Sequence, residues 1–254
     1  MSHRVLFIGN SDVEALAEYY EAFAASAPTK FEPIAVGHWT RFSWTLQDHW
    51  NAAQSADSHL HRLLEPGRWD YVVMQDQSQT PAFFALSPQN FYQTKAAAIG
   101  LSKLILAGGA KPFFMVTPGY RDGDPTNPKY LPDYPTMQHL LTVGYTAYRD
   151  VAVAAGTAAD MIYVGKAWTR VRQMSGLTSP VKFAVLYTEG GRKGDPDPGT
   201  HPSEFGVYLT TCAVYGKLVG TATVGVEWAP DAISASQKLL LQQAADAVPM
   251  MLPP

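Results

Sequence analysis

Apolar residues fall along this chain in short runs of the buried kind, separated by stretches at helical spacing. The first run, Val5-Leu6-Phe7-Ile8, reads as a strand apolar on both faces, the pattern expected at the centre of a parallel sheet. Gly9 ends it, and Val13, Leu16, Ala17, Tyr20 and Ala24 continue with helical periodicity. Four more strands are predicted, over 31–37, 69–75, 111–117 and 161–164. Helices are predicted over 46–64, from Ser87-Pro88 to Gly108-Gly109, and over 136–156, 169–174, 206–219 and 234–248. Residues 38–46 read as an aromatic loop, and 183–187 as a short strand or an apolar plug. The segment 122–135 is rich in Pro, Gly, Asp and Asn and is long for a loop, the kind that often carries function.

Strands and helices alternate about five times with no break in composition, no repeat and no low-complexity segment. This predicts an α/β fold, doubly wound around a mainly parallel five-stranded sheet. One domain is expected over 1–254, with its core at about 4–220 and a helical tail at about 221–254. At 254 residues with 46% hydrophobic content, such a domain can bury a substantial core. The net charge of −3 and the scattered Lys and Arg exclude a nucleic-acid footprint or a basic membrane-binding face. No apolar stretch approaches the roughly 20 residues of a membrane span. A strand beginning at about residue 4 leaves no room for a signal peptide, so a cytoplasmic protein is expected, unless Met1-Ser2-His3 stands in place of a removed leader. The lone cysteine, Cys212, permits neither an intrachain disulfide nor a cysteine metal cluster. His49, His59 and His61 share one predicted helix, but His59 and His61 are two apart and do not share a face. No metal and no cofactor are expected.

The polar residues gather where predicted strands end, the edge at which open α/β sheets bind ligands. Ser11, in Gly9-Asn10-Ser11, joins the first strand to the first helix, either as a nucleophile aimed into the crevice or as a plain helix N-cap. The third strand runs into Gln75-Asp76-Gln77-Ser78-Gln79, a dense set of amide and carboxylate groups suited to a polar ligand. Asp195-Pro196-Asp197-Pro198-Gly199-Thr200-His201-Pro202-Ser203 precedes the last core helix, and an acid shortly before a histidine suits a general base and its orienter. Trp39, Phe42 and Trp44 offer an aromatic wall, and Tyr120 follows the end of the fourth strand. Gly9-Asn10-Ser11 lacks the multi-glycine loop of a phosphate-binding site, which weighs against a nucleotide-binding domain.

Taken together, Gly9-Asn10-Ser11 and His201-Pro202-Ser203 ahead of Gly206-Val207-Tyr208-Leu209 resemble the first and last blocks of the SGNH (GDSL-like) hydrolases. Trp69 to Ser78, Thr45 to Trp50 and Val164 to Trp168 resemble one SGNH subgroup of unassigned function, so the resemblance spans about residues 4–220. It implies a flavodoxin-like α/β/α sandwich and metal-free ester hydrolysis. It further implies Ser11 as nucleophile, His201 as general base and then acid, and an aspartate orienting the imidazole. The family's acid stands three residues before the histidine, where this chain has Pro198. The role is carried to Asp197, with Asp195 as the other candidate. A Pro198-Gly199 type II turn would bring Asp197 back beside His201. The implied oxyanion hole combines the backbone N–H of Ser11, that of Ser43, and a glutamine in place of the family's asparagine, with Gln75 first and Gln77 second. The expected activity is a serine esterase of acetylesterase type. Its expected partner is a small-molecule or carbohydrate ester, with Trp39, Phe42, Trp44 and Tyr120 as substrate contacts. The departures in acid and oxyanion positions motivate the opposing expectation of a catalytically weak or inactive ligand-binding module.

Overall fold

The computed structural model describes residues 3–27, 35–176, 178–189 and 198–248. Five parallel strands form one sheet in the order β2-β1-β3-β4-β5. They are β1 (Arg4–Gly9), β2 (Ala35–Thr40), β3 (Tyr71–Met74), β4 (Lys111–Met115) and β5 (Asp160–Ile162). The alternation within each buried run divides the core. Val5, Phe7, Val73 and Phe113 face α1 (Leu16–Ala25), α7 (Val164–Met174), α8 (Glu204–Val219) and α9 (Ala235–Asp246). Leu6, Ile8, Val72 and Phe114 face the other layer. That layer holds α2 (Leu46–Ala53), α3 (His59–Leu63), α4 (Thr80–Leu86), α5 (Tyr92–Ala107) and α6 (Tyr134–Ala154). The result is a three-layer α/β/α sandwich with the flavodoxin-like strand order. No helix among the described residues is long and apolar enough to cross a membrane.

Several boundaries differ from the sequence expectation, each for a local reason. β2 extends through His38, Trp39 and Thr40, read above as loop, because the pairing of Phe7, Ile8 and Gly9 with those three residues continues the ladder. As an edge strand it has no buried residue and so lacks the apolar run that marks central strands. The helix expected over 46–64 breaks in two where the Ser58 hydroxyl accepts from His61 N and caps α3. The α4 helix, hidden behind the polar run before it, starts with proline in its first turn and buries Ala82 and Phe84. The α7 helix starts five residues earlier than expected. The 183–187 segment is a 3-10 turn, Phe183–Leu186, with Leu186 buried against α8: a plug rather than a strand.

The order β2-β1-β3 places a topological switch point between β1 and β3. Connections leave the two adjacent strand ends in opposite directions there, and a crevice opens outside their carboxyl ends. Gly9 and Gln75 stand at those ends.

Candidate active site

The chain leaves β1 in a single 3-10 turn, Ser11–Val13, before α1. Asn10 caps that turn, its side-chain oxygen accepting from Asp12 N at 3.2 Å. The cap that the sequence left open for Ser11 is thus made by Asn10 on the 3-10 turn, while α1 begins after Ala15 with no side-chain cap. The Ser11 hydroxyl instead meets His201, with Oγ 2.9 Å from Nε2 across 190 positions of sequence. When Nε2 accepts the serine proton, Nδ1 carries the ring hydrogen, and Thr200 Oγ1 lies 3.2 Å from it. A hydroxyl and an imidazole at this separation can pass a proton directly.

His201 is held by its own loop. Thr188 N donates to His201 O at 3.0 Å, Gly199 N to Thr188 O at 3.0 Å, and Arg121 N to Gly199 O at 2.9 Å. Gly199 takes φ +83°, the value of the third residue of a type II turn. Ser203 then caps α8 through Gly206 N. Asp197 and Asp195, the candidate acids, lie outside the described residues.

Ser11 and His201 open on a cleft of about 200 Å³. Of the other sequence candidates, Ser43, Gln77, Phe42 and Tyr120 line it. Gln75, Trp39 and Trp44 do not. Gln75 is fully buried beneath the nucleophile turn, where its Oε1 accepts from Asn10 N at 2.9 Å and its amide donates to Asp76 O. It supports the turn from below, and it is the reason for Gly9: a Cβ there would lie 2.4 Å from Gln75 Oε1. Trp39 packs away from the cleft, stacked on His59 with ring centroids 5.3 Å apart and covered by the Arg41 guanidinium. Trp44 packs edge-on to His49 and its carbonyl faces Asn10 Nδ2.

Two features mark Ser43 and Gln77 on the cleft wall. Ser43 is the one non-glycine residue with positive φ among the described residues, at +58°. Left-handed backbone costs a non-glycine residue about 1–2 kcal/mol, and such outliers gather at functional positions. The backbone N–H groups of Ser11 and Ser43 donate to no protein acceptor among the described residues. Gln77 belongs to a chain of carboxamides: its amide donates to Gln79 Oε1, and Gln79 in turn donates towards Asp124. A carboxylate only accepts, so it fixes the polarity of both amides. The second N–H of Gln77 makes no hydrogen bond among the described residues. Burial alone would raise the Asp124 carboxyl, but hydrogen bonds from Thr126, Asn127 and Gln79 hold it below the usual carboxylate range.

The cleft wall also holds Ser78 and Gln79, from the polar run, and Asp124 and Thr126, which the sequence did not single out. The polar run after β3 and the long loop at 122–135 pointed to both segments but not to individual side chains. Asp76, of the same polar run, is fully buried behind the cleft. Its Oδ1 accepts from Leu46 N and Gln77 N, both at 2.8 Å, and its Oδ2 from Tyr148 OH at 2.8 Å. Burial pushes its carboxyl up to about 6 against these hydrogen bonds. One carboxylate thus ties the loop after β3 to the first turn of α2.

His49, also fully buried beneath this loop, has no hydrogen-bond partner within normal geometry at either ring nitrogen. Burial lowers it to about 4, with the Gly9 carbonyl opposing. The unfolded chain takes up this proton near pH 6.5 and the native protein only near 4. Stability from His49 is therefore complete above 6.5 and lost as pH falls through 4, a loss of about 3 kcal/mol. Urea unfolding of wild type and His49→Leu at pH 7 and pH 4 checks this: the acid-induced loss is expected to shrink by about that amount in the variant. An equal loss in both proteins would show that His49 does not titrate in this way.

No protein-family model matches the sequence, and no curated protein matches it. Solved structures do. A DUF4886 family protein from Bacteroides uniformis superposes with a TM-score of 0.72 at 16% identity, over 97% of this chain and 94% of the other. A protein from Slackia heliotrinireducens classed with the SGNH hydrolases gives 0.56 at 21% identity, over 86% and 100%. An acetyl xylan esterase gives 0.54 at 10% identity, over 84% and 98%. The chain has the fold of the SGNH hydrolases.

Proposed function

We propose that the protein is a serine ester hydrolase of acetylesterase type, which removes a short acyl group from a carbohydrate or another small polar compound. The observation that carries this reading is the 2.9 Å contact between Ser11 Oγ and His201 Nε2 at the mouth of a polar cleft on the sheet's switch point. The SGNH fold supports the same reaction class, and one similar structure is an acetyl xylan esterase by name.

In the proposed mechanism, Ser11 Oγ attacks the ester carbonyl carbon while its proton passes to His201 Nε2. Asp197 is the proposed partner of the imidazolium, with Asp195 the other candidate. The oxyanion receives the N–H groups of Ser11 and Ser43 and the free N–H of Gln77. Collapse of the tetrahedral intermediate breaks the bond to the leaving alcohol, which takes the proton from His201. Water then attacks the acyl-serine, giving its proton to His201, and release of the carboxylic acid restores Ser11. The volume of about 200 Å³ favours a short acyl group, and the buried Asp124 anion disfavours acidic esters. Phe42, 69% exposed at the mouth, and Tyr120 offer faces for a sugar ring.

The testing experiment is hydrolysis of p-nitrophenyl acetate and octanoate, with mass spectrometry of a fluorophosphonate adduct. Acetate is expected to be preferred, and the adduct to map to Ser11. Folded protein that neither hydrolyses nor labels would favour the ligand-binding module. Within an active enzyme, Gln77→Leu is expected to lower kcat by about 10²–10³-fold with KM nearly unchanged, the signature of a donor used in the transition state. An unchanged kcat would pass that role to another group.

A further inference from the structure

Away from the Ser11 cleft, a larger cavity of about 460 Å³ opens between α6 and α7, beside the residues that end α9. This lies within the range of pockets that enclose whole small organic molecules. Its lining divides by chemistry. Tyr134, Pro135, Ala247 and Val248 supply apolar surface, while Lys166, Arg170, Arg172 and His139 supply cationic or protonatable groups. No carboxylate lines it. Asp133, just before α6, is engaged as that helix's N-cap through Thr136 N at 2.8 Å.

The four basic residues form no ion pair among the described residues, whereas Arg4, Lys111, Arg121 and Lys217 each have a carboxylate partner. The chain as a whole carries a net charge of −3, so this face concentrates charge of the minority sign. Helix stability accounts for Arg172, in the last turn of α7, but not for Lys166. Lys166 stands in the first turn of α7, the end at which the helix dipole disfavours a cation. Its ammonium rests over the Tyr163 ring, 3.9 Å from the centroid. Lys166 and Arg170, without a carboxylate partner among the described residues, and Arg172, whose charge acts on Asp133, line one partly apolar cavity; together they match a ligand that brings both a negative head and an apolar body.

We propose that this cavity binds an amphipathic organic anion. A carboxylate, sulfonate or phosphate head would lie among Lys166, Arg170 and Arg172, and the apolar body against Tyr134, Pro135 and Val248. The site is separate from the Ser11 cleft, and the proposal does not depend on the esterase reading.

The probe is 8-anilinonaphthalene-1-sulfonate, an apolar aromatic body with one sulfonate, titrated into the full chain by fluorescence and calorimetry. One saturable site is expected. Its affinity is expected to weaken several-fold between 0.05 and 0.5 M NaCl, since exposed charges are screened over such a range. Lys166→Glu with Arg170→Glu is expected to weaken binding at least tenfold. The uncharged N-phenyl-1-naphthylamine should not respond to that change, and neither should ester hydrolysis. Phe42→Ala, in the Ser11 cleft, should leave the sulfonate's affinity unchanged. Should the double charge reversal fail to fold by circular dichroism, Lys166→Gln with Arg170→Gln serves in its place, with the same direction expected. The proposal is overturned if wild type shows no saturable site, if affinity survives the loss of both cations, or if affinity follows Phe42 instead.

Discussion

Ser11→Ala is expected to lower ester hydrolysis on the order of 10⁴–10⁶-fold, the usual consequence of removing a catalytic serine, and to leave the fold intact. The two halves of this expectation rest on different contacts. The Oγ atom faces His201 Nε2, so the substitution removes the attacking atom and the group from which the imidazole takes its proton. It removes little else. The cap of the 3-10 turn is Asn10, the turn is supported from below by Gln75, and Ser11 carries no side-chain bond to the backbone of its own helix. The loss of stability is therefore expected to stay at about 1 kcal/mol, the net worth of one side-chain hydrogen bond. Turnover of p-nitrophenyl acetate, measured beside urea unfolding of the same preparations, reads both. A folded Ser11→Ala protein that still hydrolyses the ester would end the assignment of the nucleophile.

Asp76→Ala is expected to have the largest effect on stability. Its carboxylate accepts from Leu46 N, Gln77 N and Tyr148 OH, and all three donors are orphaned by the change. Each buried unsatisfied donor costs about 1–3 kcal/mol, which places the total on the order of 3–9 kcal/mol. A domain has only about 5–15 kcal/mol to lose. Because Gln77 and the first turn of α2 are tied through this one side chain, activity is expected to fall even in preparations that remain folded. Asp76→Asn separates the charge from the hydrogen bonds. Burial raises the Asp76 carboxyl to about 6, so the native protein holds this proton more tightly than the unfolded chain. The stability due to that proton is fully present below pH 3.8 and lost as pH rises through 6, a change of about 3 kcal/mol. An asparagine cannot ionise. Asp76→Asn is therefore expected to gain on wild type by about that amount between pH 4 and pH 8. A stability difference independent of pH would mean that Asp76 keeps an ordinary carboxylate pKa, and an Asp76→Ala protein as stable as wild type would remove its structural role.

The class of fold and the edge at which the site lies are legible in the residues alone. Val5-Leu6-Phe7-Ile8, Tyr71-Val72-Val73-Met74 and Lys111-Pro112-Phe113-Phe114-Met115 announce central parallel strands because burial on both faces demands an unbroken apolar run. The polar residues that follow such runs must lie at carboxyl ends of strands, which points to Ser11 and to the 75–79 cluster before any coordinates. Where burial is weak the signal fades: β2, an edge strand with no buried residue, was read as loop over half its length. Which polar groups meet depends instead on how distant elements pack. Ser11 and His201 stand 190 positions apart, and no local preference encodes their 2.9 Å separation. It follows from the packing of α8 against α1 and from the strand order that opens the crevice. The same holds within the 75–79 cluster, where five adjacent polar side chains look alike in sequence. Leaving the strand, Gln75 and Asp76 turn beneath the cleft into full burial, while Gln77, Ser78 and Gln79 line it. Residue type states what each group can do, but direction depends on where the chain stops being a strand and on the neighbours that share its hydrogen bonds. Those neighbours, Asn10, Leu46, Tyr148 and Asp124, come from four different parts of the chain.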